Sequence, residues 1–449
     1  SLINHELDFN ILVQSINMVI KNNLNFQTQF FQENNIPKQF FNNYEYVDIE
    51  IHDIPSEEHV YELAAKMKKK CFNIFSKKLY EFKIFRFPNN KGGYILNIHH
   101  LIADSWSLGL VSKQIIKYYN LINLNKEPVL GTENNTYKDY IIAEQEYLNS
   151  KKFEEDKKYW ESIFNTIPEN ALIPSKNSHS TSKLNCTAIR KTFSIPNNIT
   201  KKINYFCEQN KLSIYNLFMA IYSIYIGKIC NLTDFVIGTP ILNRCNFAQK
   251  NTHGMFITTL PVRINLSSNN TFLNYIKNFS LNSISMFRHQ KYPYEKILEM
   301  LRKKQPDIPN LYNILFSYQI TKTSSDELNS ETKWEFNNNC PDSLQIHVLD
   351  LNDIGDLNIF YDYQTQFYDS DDIEKLHKRI INIINQILDN PNININDINI
   401  VTPEEKQYIF NTLNNTDTPY DNNQTIIDLF KKQVQFNPSK NAIAKLKTA

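Results

Sequence analysis

Residues 99–107 read His-His-Leu-Ile-Ala-Asp-Ser-Trp-Ser. The run before them, Tyr94 to His99, has strand character. Leu79 to Phe87 is a second strand candidate, with Phe82 and Ile84 alternating against Lys83. Between the two, Pro88-Asn-Asn-Lys-Gly-Gly93 is a turn signal, so the sequence predicts a hairpin that ends on the histidines. A helix is expected from Ser105 to Asn120, capped by Asp104 or Ser105. Neighbouring side chains of an extended segment point to opposite faces, so one of His99 and His100 can face a cleft while the other faces structure. An imidazole suits proton transfer near neutral pH. Asp104, one loop away, can orient a histidine or hold the loop through an ion pair. The plain alternative is that both histidines are ordinary core or surface residues. No third ligand stands at metal-binding spacing, so no metal is expected.

Working outward, Asp8 to Asn22 forms an amphipathic helix with Phe9, Leu12, Ile16 and Val19 on one face. Asn25 to Gln32 and Tyr44 to Ile51 are strand-like, and Pro55 to Phe75 reads as helix. Polar segments at Asn123 to Tyr137 and Pro168 to Lys183 are linker candidates, and the second is taken as the main boundary. Beyond it helices are expected at Ile199 to Gln209, Ser213 to Gly227, Phe272 to Gln290 and Asp371 to Leu388. Strands are expected at Ala188 to Ser194, Asp234 to Gly238, Leu260 to Leu266, Tyr312 to Ile320, Leu344 to Leu351 and Leu357 to Tyr363. Strands and helices without strict alternation indicate an α/β layered sandwich, not a doubly wound sheet. The expected division is 1–167, a linker at 168–183, 184–401, and a short tail at 402–449 with a helix from Thr425 to Gln435.

Composition removes several functions. The 449 residues contain only 8 glycines, and neither a GxGxxG nor a GxxxxGK[ST] phosphate loop is present. GxSxG is absent too, which weakens a serine-hydrolase reading, and so is HExxH. Against 48 basic residues stand 47 acidic ones, so no electrostatic argument exists for nucleic acid or an anionic membrane. The uncharged stretch from Leu212 to Gly227 is shorter than the ~20 residues of a spanning helix and is expected to be a core helix. Six cysteines without a CxxC pair fit a reduced, cytoplasmic protein.

The motif pattern is more specific than its spacing. HHxxxDxWS resembles the HHxxxDG signature of condensation domains of nonribosomal peptide synthetases, which belong to the chloramphenicol acetyltransferase-like superfamily. Asp234 to Arg263 (DFVIGTPILNRCNFAQKNTHGMFITTLPVR) is similar to the family's GTP…NR…GxFxNxLPxR segment, Arg288 to Ile297 to its RHQ-x-YP[FY]E segment, and Asn313 to Gln319 to a late core strand. Asn414 to Ala444 is similar to the opening of an adenylation domain. The resemblance implies two αβ sandwich lobes in a V over a central tunnel. It also implies an acyltransferase that joins a carrier-bound acyl or aminoacyl thioester to a carrier-bound amine. It implies no directly bound cofactor; the donor and acceptor carrier proteins bring 4'-phosphopantetheine arms, and an adenylation domain adjoins. By the motif, His100 is the central residue, His99 supports it and Asp104 holds the loop. Ser105, Trp106, Ser107, Asn243 and Arg244 are expected at the substrate site, with Trp106 packing beneath the loop.

Three departures from the family pattern stand out. A strand and helix normally precede the position of Ser1. Ser105 replaces a glycine, as in branches resembling starter-type condensation domains. The early arginine that often pairs with the motif aspartate is replaced by Gln27, so Asp104 needs another cation or the loop is less rigid. The alternative reading is a catalytically silent, condensation-like domain that recruits or binds partners.

Overall fold

A computed structural model describes all residues except 76, 128–135, 176–185, 267–269, 322–323, 326–329, 352–355, 418–422 and 441–449. The two expected linkers fall partly outside the described residues, as does the adenylation-like tail segment. The chain forms two compact units, Ser1–Ile400 and Val401–Ala449.

In the larger unit the hairpin forms as expected. Tyr80–Arg86 and Gly92–Ile98 pair antiparallel, from Tyr80 opposite Ile98 to Arg86 opposite Gly92. The turn places Asn90 at φ 56°. Gly93 is required here, because a Cβ would stand 2.0 Å from the carbonyl oxygen of Ser1. The sheet runs in the order Ser324–Ser325, Ser330–Glu331, Leu2–Ile3, Gly92–Ile98, Tyr80–Arg86, Ile51–Asp53. Leu2–Ile3 thus occupies the flank of the Gly92–Ile98 strand, and a segment from late in the chain continues the sheet.

The Phe9–Asn22 helix starts at Asp8, whose carboxylate accepts from the backbone of Asn10 and Ile11. Its expected apolar face is buried: Leu12, Ile16 and Val19 are 0% exposed. Two expectations nearby fail. Tyr44 to Ile51 is not a strand until Ile51–Asp53. The Asn17 side chain bonds both backbone groups of Val47, so the segment is pinned to the helix instead of entering a ladder. The second failure is the missed strand Ile36–Phe41, which pairs with Thr28–Glu33 through an Asn34-Asn35 turn with both residues at positive φ. Pro37 lies in this strand, where an edge position tolerates it.

The second sheet has the order Ala188–Ile195, Asp356–Gln364, Leu344–Leu351, Ile314–Thr321, Asp234–Ile241, Thr258–Asn265. The Ile314–Thr321 strand is parallel to both its neighbours; the outer pairs are antiparallel. The helices Asn197–Asn210, Ile214–Cys230, Phe272–Arg288 and Ser370–Asp389 share one continuous core with it. The uncharged stretch is the buried middle of the Ile214–Cys230 helix. Among the described residues no single helix is long and apolar enough to cross a membrane. Helices Glu57–Lys68, Tyr137–Leu148, Lys151–Ile163, Phe247–Lys250 and Tyr294–Arg302 belong to the same unit; the first is shorter than the expected Pro55 to Phe75.

The smaller unit contains the Pro403–Tyr408 helix, which runs into a π-helical turn, and the Ile426–Phe436 helix. Both helices begin at capping boxes, Thr402 with Glu405 and Thr425 with Asp428.

Candidate active site

The Gly92–Ile98 strand hands the chain to His99 and His100. The backbone N–H of His99 donates to Leu79 O, continuing the hairpin ladder. The His99 ring turns inward. Its Nδ1 accepts from the Leu101 N–H at 3.1 Å, and it meets Phe72 edge-on at 6.1 Å. Burial, aided by the neighbouring His100, holds its pKa below the ordinary imidazole value. His100 is exposed. The two rings therefore divide at the turn that follows the strand, His99 against its own loop and Phe72, His100 towards solvent.

Asp104 caps the Ser105–Asn123 helix and is 1% exposed. Its Oδ1 accepts from the Ser107 N–H at 2.8 Å and from Arg244 Nη2 at 3.0 Å. Its Oδ2 accepts from Arg244 Nη2 at 3.1 Å and from the Phe256 N–H at 3.0 Å. Ser107 Oγ lies 2.8 Å from Asp104 Oδ1 and 2.7 Å from Gly254 O. It has one hydrogen and donates to one of them at a time, while accepting from the Gly254 N–H and Arg244. Arg244 also donates to the carbonyls of Gln249 and Thr252 and lies over the Phe256 ring, its Cζ 3.9 Å from the centroid. Burial lowers the Arg244 pKa, and Asp104 opposes that shift.

The cation that Asp104 needs is therefore Arg244, 140 residues away in sequence. Gln27 does not take that role: its amide donates to the backbone carbonyls of Lys21 and Ile20. The loop keeps a fully buried ion pair despite the lost early arginine.

The remaining expected residues separate. Ser105 is the exposed first residue of the helix. Trp106 is 41% exposed, and its indole N–H donates to Lys250 O at 2.7 Å. It bridges to the 244–256 segment instead of packing under its own loop. Asn243, at φ 50°, donates to the Tyr140 hydroxyl at 3.4 Å. Asp104, Ser107 and Arg244 form one buried cluster, with Trp106 joining the same two segments at its edge.

Sequence reasoning missed Tyr137, Lys250, His253 and Phe256. The Tyr137 hydroxyl donates to Met255 O, and its ring fills the space above Gly254, where a Cβ would stand 2.1 Å away. His253 is 2% exposed, and burial beside the Arg244 cation lowers its pKa to about 3. The signal was present in Asn251-Thr-His-Gly254, but only the glycine pointed to geometry. Among the described residues no group of three His, Cys, Asp or Glu is placed to hold a metal ion. Two open hollows, ≈ 360 Å³ beside Asn17 and Tyr44 and ≈ 430 Å³ beside Pro55 and Pro88, include no residue of the histidine loop.

Comparison with known proteins gives one family. The model of the condensation domain matches residues 2–410. Surfactin synthase subunit 1 of Bacillus subtilis (strain 168) is 27% identical over 435 residues, 96% of this chain and 12% of that protein. Gramicidin S synthase 2 of Brevibacillus brevis is 26% identical over 384 residues, 83% of this chain and 8% of that protein. The chain thus spans a small part of each. In fold it is similar to the X-domain from teicoplanin biosynthesis, with a TM-score of 0.77 and 18% identity over 89% of this chain and 91% of that one. The starter condensation domain of rhizomide synthetase gives a TM-score of 0.76 and 16% identity over 89% and 90%.

Proposed function

The chain belongs to the condensation-domain family of nonribosomal peptide synthetases, amide-forming acyltransferases, and from that premise we propose its reaction and partners. A donor acyl or aminoacyl group, held as a thioester on the 4'-phosphopantetheine arm of one carrier domain, is transferred to the amine borne by an acceptor carrier. The nitrogen attacks the thioester carbonyl, the C–S bond breaks, and the product stays on the acceptor.

One observation supports this division of labour most directly: Asp104 is wholly committed to protein donors while His100 is exposed. A carboxylate with both oxygens occupied inside a buried ion pair is a poor proton acceptor for substrate. His99 is tied to its own loop. His100 is left to take the ammonium proton or to hold the amine against the carbonyl, within about 3 Å of the nitrogen. The intact Asp104–Arg244 pair favours a working loop over a decayed one. A starter-like donor and an adjoining adenylation domain belong to the same reading, on the motif resemblances of Ser105 and of the Asn414 to Ala444 segment, and a cytoplasmic location belongs to it on the six cysteines without a CxxC pair.

The test is a single-turnover reaction with a loaded donor carrier and a loaded acceptor carrier, read by mass spectrometry of the acceptor. Product on the acceptor carrier supports amide formation. Retained carrier binding without product supports the recruiting alternative.

A further inference from the structure

The stretch that follows Ser330–Glu331 is held from both sheets. On the side of the first sheet, the Lys333 ammonium donates to the Tyr61 hydroxyl at 2.9 Å, and the Lys68 ammonium donates to Phe336 O at 3.2 Å. On the side of the second, Arg190 of the edge strand Ala188–Ile195 lies over the Phe336 ring, its Cζ 4.8 Å from the centroid. The stretch then joins that edge. Thr187 and Asn339 are antiparallel bridge partners, the Ala188 N–H donates to Asn338 O, and the Cys340 N–H donates to Cys186 O, each bond 2.9 Å long. The chain from Thr332 to Cys340 is therefore a strap between the sheets.

This register sets two thiols against each other. With Thr187 opposite Asn339, the adjoining pair on the two strands is Cys186 and Cys340, and the bond from the Cys340 N–H spans it. Directly opposed residues of an antiparallel ladder share one face, with Cα atoms about 5.5 Å apart in a hydrogen-bonded pair. A disulfide spans Cα separations of about 4.4–6.8 Å. Both thiols are free, but they are not equivalent: Cys186 is half-buried and Cys340 is 0% exposed. Burial pushes the Cys340 thiol up to about 12, and the nearby Cys186 acts in the same direction. A shielded, protonated thiol of this kind reacts second, with a partner that has already met the oxidant.

We propose that Cys186 and Cys340 form a site of reversible oxidation, closed to a disulfide by a small-molecule disulfide such as glutathione disulfide, and that the bond locks the strap onto the second sheet. Cys186, as its thiolate, attacks one sulfur of the oxidant. The oxidant's S–S bond breaks, and one glutathione leaves with the proton that Cys186 gave up. Cys340 then loses its proton and attacks Cys186 Sγ. The mixed disulfide breaks, and the second glutathione leaves with that proton. The two protein thiols lose two electrons and two protons, and the oxidant gains both to become two thiols. In a reducing compartment the pair rests open and closes only under oxidant. The inference stands on the strand register and is independent of the condensation reading.

The whole chain is incubated with glutathione disulfide, alkylated without reduction and mapped by peptide mass spectrometry. The expected result is a Cys186–Cys340 cross-link in the folded wild type, removed by dithiothreitol. The exposed Cys71 and Cys245 are expected to keep glutathione as mixed disulfides. In C340S, glutathione is expected to stay on Cys186; in C186S, Cys340 is expected to remain a free thiol. An unmodified Cys186 in the wild type, glutathione retained on it, or its joining to a different cysteine overturns the proposal, and this arm depends on no variant folding. In a second arm, the strap amides are expected to exchange hydrogen about 10-fold more slowly in the oxidised wild type than in the reduced one, and equally in both states of C186S. Exchange that the cross-link leaves unchanged overturns the locking of the strap. Neither arm measures amide formation, so a failure here is distinct from a failure of the condensation reading.

Discussion

Arg244 and Asp104 are each 0% exposed in their side chains, and removing either partner leaves the other charged inside the protein. Arg244→Ala is therefore expected to cost roughly 3–5 kcal/mol in a denaturant titration. Gln27→Arg is expected to change neither stability nor turnover, because the aspartate already has its cation; a gain of turnover in that variant would contradict the assignment. His253 gives a pH signature. Its folded pKa is about 3 against an ordinary 6.5. Between those values the unfolded chain binds a proton that the folded chain refuses, so stability is fully present above about pH 6.5 and falls as the pH drops through the window. His377, lowered by burial to about 4, adds in the same direction. Urea midpoints at about pH 7 and about pH 5 are expected to differ less in His253→Leu than in wild type. An equal difference in both would contradict the assignment.

At the scale of elements, the helix that starts at Ser105 is fastened to the 244–256 segment by Asp104, Trp106 and Ser107, and the Tyr137–Leu148 helix joins through Tyr137. Gly254 is the tightest point, at φ 153° with the tyrosine ring over it. Gly254→Ala is expected to cost on the order of 1–3 kcal/mol, and Tyr137→Ala in the same chain to recover part of that, a non-additivity that a double-mutant cycle reads directly. Additive losses would mean that the ring is not what excludes a side chain there. Much of this scale was legible in sequence. The hairpin, the helix after it and the second sheet carry their own periodicity and turn residues, and Asp104 was recognisable as a cap. The Arg244 partnership was not legible from spacing, because 140 residues of chain separate it from Asp104. The Tyr44 to Ile51 error has the same origin: Asn17 competes for the backbone of Val47, a tertiary contact that no local pattern encodes.

For the whole molecule, the larger unit joins two six-stranded sheets into one body, and the strands Ser324–Ser325 and Ser330–Glu331 extend the first although the strands before and after them in sequence belong to the second. The central claim concerns the exposed His100, four residues before the buried Asp104. The most direct measurement compares wild type and His100→Ala, both folded by thermal melt, for transfer from a loaded donor carrier to a loaded acceptor carrier. Product from wild type and a rate at least about 100-fold lower from the variant is the expected result. Equal product from both would contradict the account.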